Sequence, residues 1–255
     1  MAPRLDGKVA VITGAAHGIG KAYARRLAED GAAVVIADLD GAGSEAVAAE
    51  FTAAGFSALA VPTDIASSAS TAHLATTVLA AFGRIDILVN NAAMFSVVPM
   101  SRTLFDQIDE PEWDTMMAVN LRGTWLMCRA VVPSMREHGW GKIVNISSST
   151  VFEGVPTRLH YVTSKAGIIG FTRTLAVELG KDNITVNCVS PGSTLSEESP
   201  SEETLRFRAL TADRRAIKRV QKPEDLVGAI SFFCSPDSDF ITGQTLLVDG
   251  GSAFH

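Results

Sequence analysis

The 255-residue chain is poor in aromatic residues, which make up 7% of it, and holds only three cysteines and two tyrosines. Cys128, Cys188 and Cys234 stand far apart inside apolar stretches and form no Cys-x-x-Cys. They read as buried thiols in a reducing compartment, not as a disulfide framework. His17, His73, His138, His160 and His255 are equally scattered, with no His-Glu-x-x-His and no Cys/His cluster, so no metal site is expected. No apolar run approaches the ~20 residues of a membrane helix. The four apolar residues Val9-Ala10-Val11-Ile12 are too few for the core of a signal peptide, so a cytoplasmic protein without a membrane partner is expected. A basic surplus is missing too. With 22 Lys and Arg against 28 Asp and Glu, the net charge of −6 disfavours a nucleic-acid partner. Linkers rich in proline or serine, internal repeats and low-complexity tracts are all absent, which assigns residues 1–255 to one domain.

What the chain does have is aliphatic residues, which dominate its 47% hydrophobic content. Short β-branched runs recur near 8–13, 33–38, 57–62, 85–90, 142–147, 184–189 and 245–248, separated by stretches long enough for helices. Several are apolar on consecutive residues, as in Val34-Val35-Ile36-Ala37. That pattern belongs to strands covered on both faces and predicts a doubly wound, Rossmann-type α/β fold with about seven parallel strands. Two segments depart from the regularity. Met94–Glu112 is long for a strand-to-helix loop, and 193–222 is polar and opens on an acidic run. The second reads as a substrate lid, against the plainer reading of a solvated helix start.

Thr13-Gly14-Ala15-Ala16-His17-Gly18-Ile19-Gly20 joins the first run to a helical stretch. Gly14 permits a sharp exit from the strand, Gly18 a close approach of backbone to a pyrophosphate, and Gly20 close packing of helix on sheet. The helix N-terminus then offers free N–H groups to phosphate. Asp38-Leu39 ends the next run, and Asp38 lies 18 positions beyond Gly20. That spacing suits a carboxylate that accepts both ribose hydroxyls of an adenosine and repels a 2′-phosphate. No Lys or Arg stands at 16–18 or 37–40 to hold such a phosphate, so NAD is favoured over NADP.

Tyr161-Val162-Thr163-Ser164-Lys165 places a phenol and an ammonium one helical turn apart. A cation there favours the phenolate, which can take the proton of a secondary alcohol while hydride leaves. With the glycine motif, Asp64, Asn90-Asn91-Ala92-Ala93, Asn120, Ser148 and Pro191-Gly192, the chain resembles the classical short-chain dehydrogenases/reductases along its whole length. The resemblance implies that Ser148 binds the substrate oxygen and Tyr161 is the general acid/base. It makes Lys165 the holder of the nicotinamide ribose that depresses the tyrosine pKa, and Asn120 the anchor of a proton-relay water. Asp64 and Ile65 become adenine contacts, Asn90, Asn91 and Ala92 cofactor-binding residues with Asn91 a ribose neighbour, and Pro191-Gly192-Ser193-Thr194 the nicotinamide-side turn. Ala93 departs from the glycine usual at that place. His160 points about 100° away from Tyr161 on a helix and reads as packing.

The helix from His160 to Leu179 is apolar on nearly all sides, which predicts self-association; the resemblance implies a homotetramer. Met94, Phe95, Val97, Val98, Met100 and Phe152 are expected near the active end, giving an apolar secondary alcohol or ketone as substrate. A general likeness to bacterial arylalkanol dehydrogenases points the same way. The competing readings are a 3-oxoacyl-carrier-protein reductase and, from another class, a non-catalytic dinucleotide-sensing regulator.

Overall fold

A computed structural model describes residues 4–95, 100–197 and 199–254. Seven parallel strands form one sheet: β1 (Val9–Thr13), β2 (Ala33–Asp38), β3 (Ala58–Pro62), β4 (Ile87–Asn90), β5 (Gly141–Ile146), β6 (Ile184–Pro191) and β7 (Thr245–Val248). Their order is β3-β2-β1-β4-β5-β6-β7, so the chain winds one way from β1 and the other way from β4. That reversal opens a crevice at the carboxyl ends of β1 and β4, where such folds place ligands.

Strand residues alternate between two cores. Ala10, Ile12, Val34 and Ile36 face one, packed by α1 (Gly18–Glu29), α2 (Gly41–Ala53) and α9 (Glu224–Cys234). Val9, Val11, Val35 and Ala37 face the other, packed by α3 (Ser68–Phe82), α5 (Thr124–Glu137) and α7 (Leu159–Leu179). Burial on both faces is why these strands read as unbroken apolar runs. All three cysteines are buried and free.

Helix starts follow local chemistry. Asp40 accepts from the Gly43 N–H at the head of α2, Ser67 from Ser70 at α3, and Ser201 from Thr204 at α8 (Glu202–Ala212). Among its described residues, the long segment after β4 holds one 3-10 turn at Phe105–Gln107, and it leads into α4 (Glu110–Met117). A π-type turn, Ala118–Gly123, joins α4 to α5, and the short α6 (Thr150–Glu153) follows β5. The apolar girth of α7 is only partly covered, since Ala166, Gly170 and Val177 lie exposed along one side. Val97 and Val98 fall outside the described residues.

Candidate active site

A cavity of about 1090 Å³ opens at the carboxyl ends of the strands. Of the residues singled out in the sequence, Gly14, His17, Gly18, Ile19, Gly20, Asp38, Leu39, Asp64, Ile65, Asn91 and Ala92 line it. So do Ser148, Tyr161, Lys165, Pro191, Gly192, Ser193 and Thr194. Asn90 and Asn120 do not.

At one end the backbone makes an anion cradle. Gly14 and Gly18 have φ of +66° and +51°. A Cβ on Gly14 would sit 2.9 Å from the Ala92 Cα, and one on Gly20 would sit 2.0 Å from the Gly14 carbonyl oxygen. The turn therefore packs against both the β4 exit and its own helix only without side chains. His17, at the head of α1, makes no side-chain cap, so the first N–H groups of the helix stay available to a phosphate. Asn91 locks this geometry by donating to the Thr13 and Gly14 carbonyls at 3.0 Å each. Its amide nitrogen is engaged on the turn, and the residue itself still lines the cavity.

Asp38 accepts from the Ala16 N–H at 3.0 Å through one oxygen and from the Asp40 N–H at 3.1 Å through the other. It does not cap α2, a task that falls to Asp40. Each carboxylate oxygen keeps a lone pair for a hydroxyl. A dinucleotide fits this donor and acceptor set: amides and a helix end for the pyrophosphate, a carboxylate for an adenosine ribose.

At the other end, Ser147, Ser148 and Ser149 leave β5 and all border the cavity. Ser147 turns its hydroxyl to the Lys165 carbonyl, 2.8 Å away. Ser148 is the one whose hydroxyl acts on Tyr161, favouring its phenolate. Tyr161 is buried at 7% exposure, with the Phe95 ring centroid 5.4 Å from its own. Burial raises the Tyr161 pKa above its ordinary value; the Ser148 hydrogen bond and the Arg158 charge oppose that rise. Among the cations, Arg158 is the one that opposes the rise. The Lys165 ammonium donates to the Ile146 carbonyl at 2.8 Å and lies 5.9 Å from the Tyr161 ring centroid. Burial brings its own pKa down to about 8. Arg158, unnoticed in the sequence, precedes Tyr161 by three residues, so one turn of α7 brings its charge to the phenol.

Asn120 stands apart from the cavity lining. Its Oδ1 accepts from the Met94 N–H at 2.8 Å and its Nδ2 donates to Ser164 at 3.0 Å. From the π-type turn it braces the loop after β4 against α7 and does not reach the cavity. Asn90, assigned to the cofactor in the sequence, points into the sheet's cover instead. Its Nδ2 donates to the Asn145 Oδ1 at 2.9 Å, and Asn145 donates on to Thr172. His160 is fully buried and pairs with Glu112 at 3.0 Å, holding α4 on α7, a packing role as read.

The expected apolar lining is also revised. Among Met94, Phe95, Met100 and Phe152, only Phe95 lines the cavity. Met94 and Met100 pack around Tyr161, and Phe152 packs against Ile168, Ile169 and Cys188. Arg102, Arg158, Arg208, Arg214 and Arg215 border the cavity in their place. Nothing in their spacing announced them, because they come from a loop, a helix start and the segment after β6.

A family model described as enoyl-(acyl carrier protein) reductase matches residues 14–253. The (2S)-[(R)-hydroxy(phenyl)methyl]succinyl-CoA dehydrogenase subunit BbsD of Thauera aromatica is 40% identical over 97% of both chains. The dehydrogenase/reductase SDR family member 4 of Bos taurus is 38% identical, over 98% of this chain and 89% of its own. Among solved structures, a 3-ketoacyl-(acyl-carrier-protein) reductase from Brucella melitensis, complexed with NADH, is 37% identical with a TM-score of 0.88, covering 98% of this chain and 100% of its own. With the glycine turn, the buried tyrosine and the lysine in one cavity, these likenesses show that the chain belongs to the short-chain dehydrogenase/reductase family, oxidoreductases that act on CH–OH groups with a nicotinamide dinucleotide.

Proposed function

We propose that the protein is an NAD-dependent dehydrogenase interconverting a secondary alcohol and a ketone, with Tyr161 as the general acid/base. The observation that carries this reading is the buried Tyr161, lining with Ser148 and Lys165 the cavity that also holds the glycine cradle. When bound, the dinucleotide supplies the hydride acceptor or donor. Ser148 orients the substrate oxygen. In oxidation Tyr161 Oη takes the alcohol proton; in reduction it returns a proton to the oxygen that gains charge. Lys165, held on the Ile146 carbonyl, fixes the cationic side of the pocket. Asn120 acts through position alone.

Asp38 supports NAD over NADP. It is 8% exposed, and the basic side chains at the head of α1 are already engaged: Lys21 pairs with Glu50, and His17 with Asp40. A 2′-phosphate there would meet a desolvated carboxylate without a compensating cation. The NADH bound in the Brucella melitensis structure agrees with this choice for that relative. Segment 193–222 serves as the substrate lid. Ser193, Thr194, Ser196, Phe207 and Arg208 line the cavity from it, and the Ser196 carbonyl oxygen would lie 3.1 Å from a Cβ on Gly18. The exposed side of α7, with Val177 84% exposed, suits assembly with further copies of the chain.

A panel of secondary alcohols assayed with NAD and NADP tests the reading. A higher kcat/KM with NAD is expected, and Asp38→Ala should cut that preference by about tenfold, or about 1.4 kcal/mol. NADP preference in the unaltered protein overturns the role of Asp38. A 3-oxoacyl-carrier-protein reductase, the named activity of one structural relative, would show instead as a rate on 3-oxoacyl thioesters far above that on any simple ketone.

A further inference from the structure

The cavity's arginines differ in what they are bonded to. Arg208 donates to Ser193 at 2.7 Å and pairs with Glu197 at 2.9 Å. Arg215 donates to the carbonyls of Ser193 and Arg219. These two hold the segment after β6 in place. The guanidinium groups of Arg158 and Arg102 make no hydrogen bond and no ion pair among the described residues, although both residues border the cavity. Arg102 rests over the Phe207 ring, 6.0 Å from its centroid, and Arg208 lies 5.9 Å from the same ring on α8.

Arg158 is half-buried and sits one helical turn before Tyr161. The residue before it, Thr157, has φ of +63°, a conformation that costs a β-branched residue energy and so must be imposed by the turn. The charges of Arg102 and Arg208 disfavour the Arg158 cation, as does its burial, while those of Tyr161 and Glu153 favour it. Of the acidic groups bordering this end, Glu197 is neutralised by Arg208; Glu153 and Glu203 remain. One guanidinium fork a helical turn from the proton-transfer group, and a second close enough to disfavour its charge, stand on the cavity wall without an anion bonded to either.

We infer that the substrate alcohol carries a carboxylate, held by Arg158 with Arg102 closing from the rim, so that the enzyme's substrates are hydroxy acids and the matching oxo acids. The inference rests on Tyr161 being the acid/base of the proposed reaction. A single negative charge fits better than a phosphate dianion, because Glu153 and Glu203 border the same end. Phe95, Val155 and Phe207 leave room for an apolar remainder.

The test pairs 2-, 3- and 4-hydroxy carboxylates with their methyl esters, in the unaltered enzyme and in Arg158→Gln and Arg158→Lys. At least one acid should exceed its ester in kcat/KM by about 10- to 100-fold. Arg158→Gln should erase that ratio mainly through KM, and Arg158→Lys should restore part of it. Binding of the unreactive 3-phenylpropanoate to the NADH-loaded enzyme, against its amide, reads the same site without turnover. It should weaken about tenfold or more in Arg158→Gln while NADH affinity holds. Esters that match their acids, a preference that survives Arg158→Gln, or a phosphorylated alcohol preferred to every acid overturns the inference. If no alcohol is oxidised at all, the proposed reaction fails, and the 3-phenylpropanoate titration alone decides the carboxylate site.

Discussion

Tyr161 works in a pocket that holds it protonated. Burial outweighs the help it receives from Ser148 and Arg158, so its pKa lies above the ordinary phenol value. The sign of the pH dependence follows. Reduction uses the protonated form and should stay level from pH 6 to 7, below the Lys165 pKa of about 8. Oxidation uses the phenolate, whose fraction grows about tenfold per pH unit below the pKa, so its rate should climb through this range. Initial rates in both directions across that range check it; an oxidation rate that is flat would contradict a raised pKa. The sequence showed the Tyr161–Lys165 pair by spacing alone. It hid Arg158, which gains meaning only once the Thr157 turn starts α7 there.

Among elements, the β1–α1 turn is the least tolerant. A Cβ on Gly20 would overlap the Gly14 carbonyl and lie 2.7 Å from the Asn91 amide that braces it. Backbone cannot give way as a flexible side chain can. Gly20→Ala should therefore cost about 1–3 kcal/mol or more. At about 2–4 °C per kcal/mol in a domain of this size, thermal unfolding will register it. Dinucleotide affinity should fall with it, and an unchanged melting temperature would show that α1 moves freely. Strands were the most legible elements, because residues facing two cores leave unbroken β-branched runs such as Val34–Ala37. The π-type turn was illegible. No periodicity marks Ala118–Gly123, so the structure alone shows Asn120 bracing Met94 and Ser164 away from the cavity.

Across the whole molecule, the strand order separates two tasks. Asp38 ends β2 and Ser148 follows β5, three strand positions away, or roughly 14 Å at ~4.8 Å per strand. The glycine turn lies between them, at the reversal of β1 and β4. One cavity thus presents an acidic ribose site, an amide cradle and a buried acid/base in a row. The sequence indicated this row because each part follows a strand; it misjudged the substrate wall, whose arginines come from loops and helix starts far apart in the chain. The most direct measurement of the central claim is steady-state turnover by Tyr161→Phe, with NADH binding followed by fluorescence on the same preparation. The account predicts a rate lower by about 10²–10⁴-fold with NADH affinity kept; turnover at the level of the unaltered protein would contradict it.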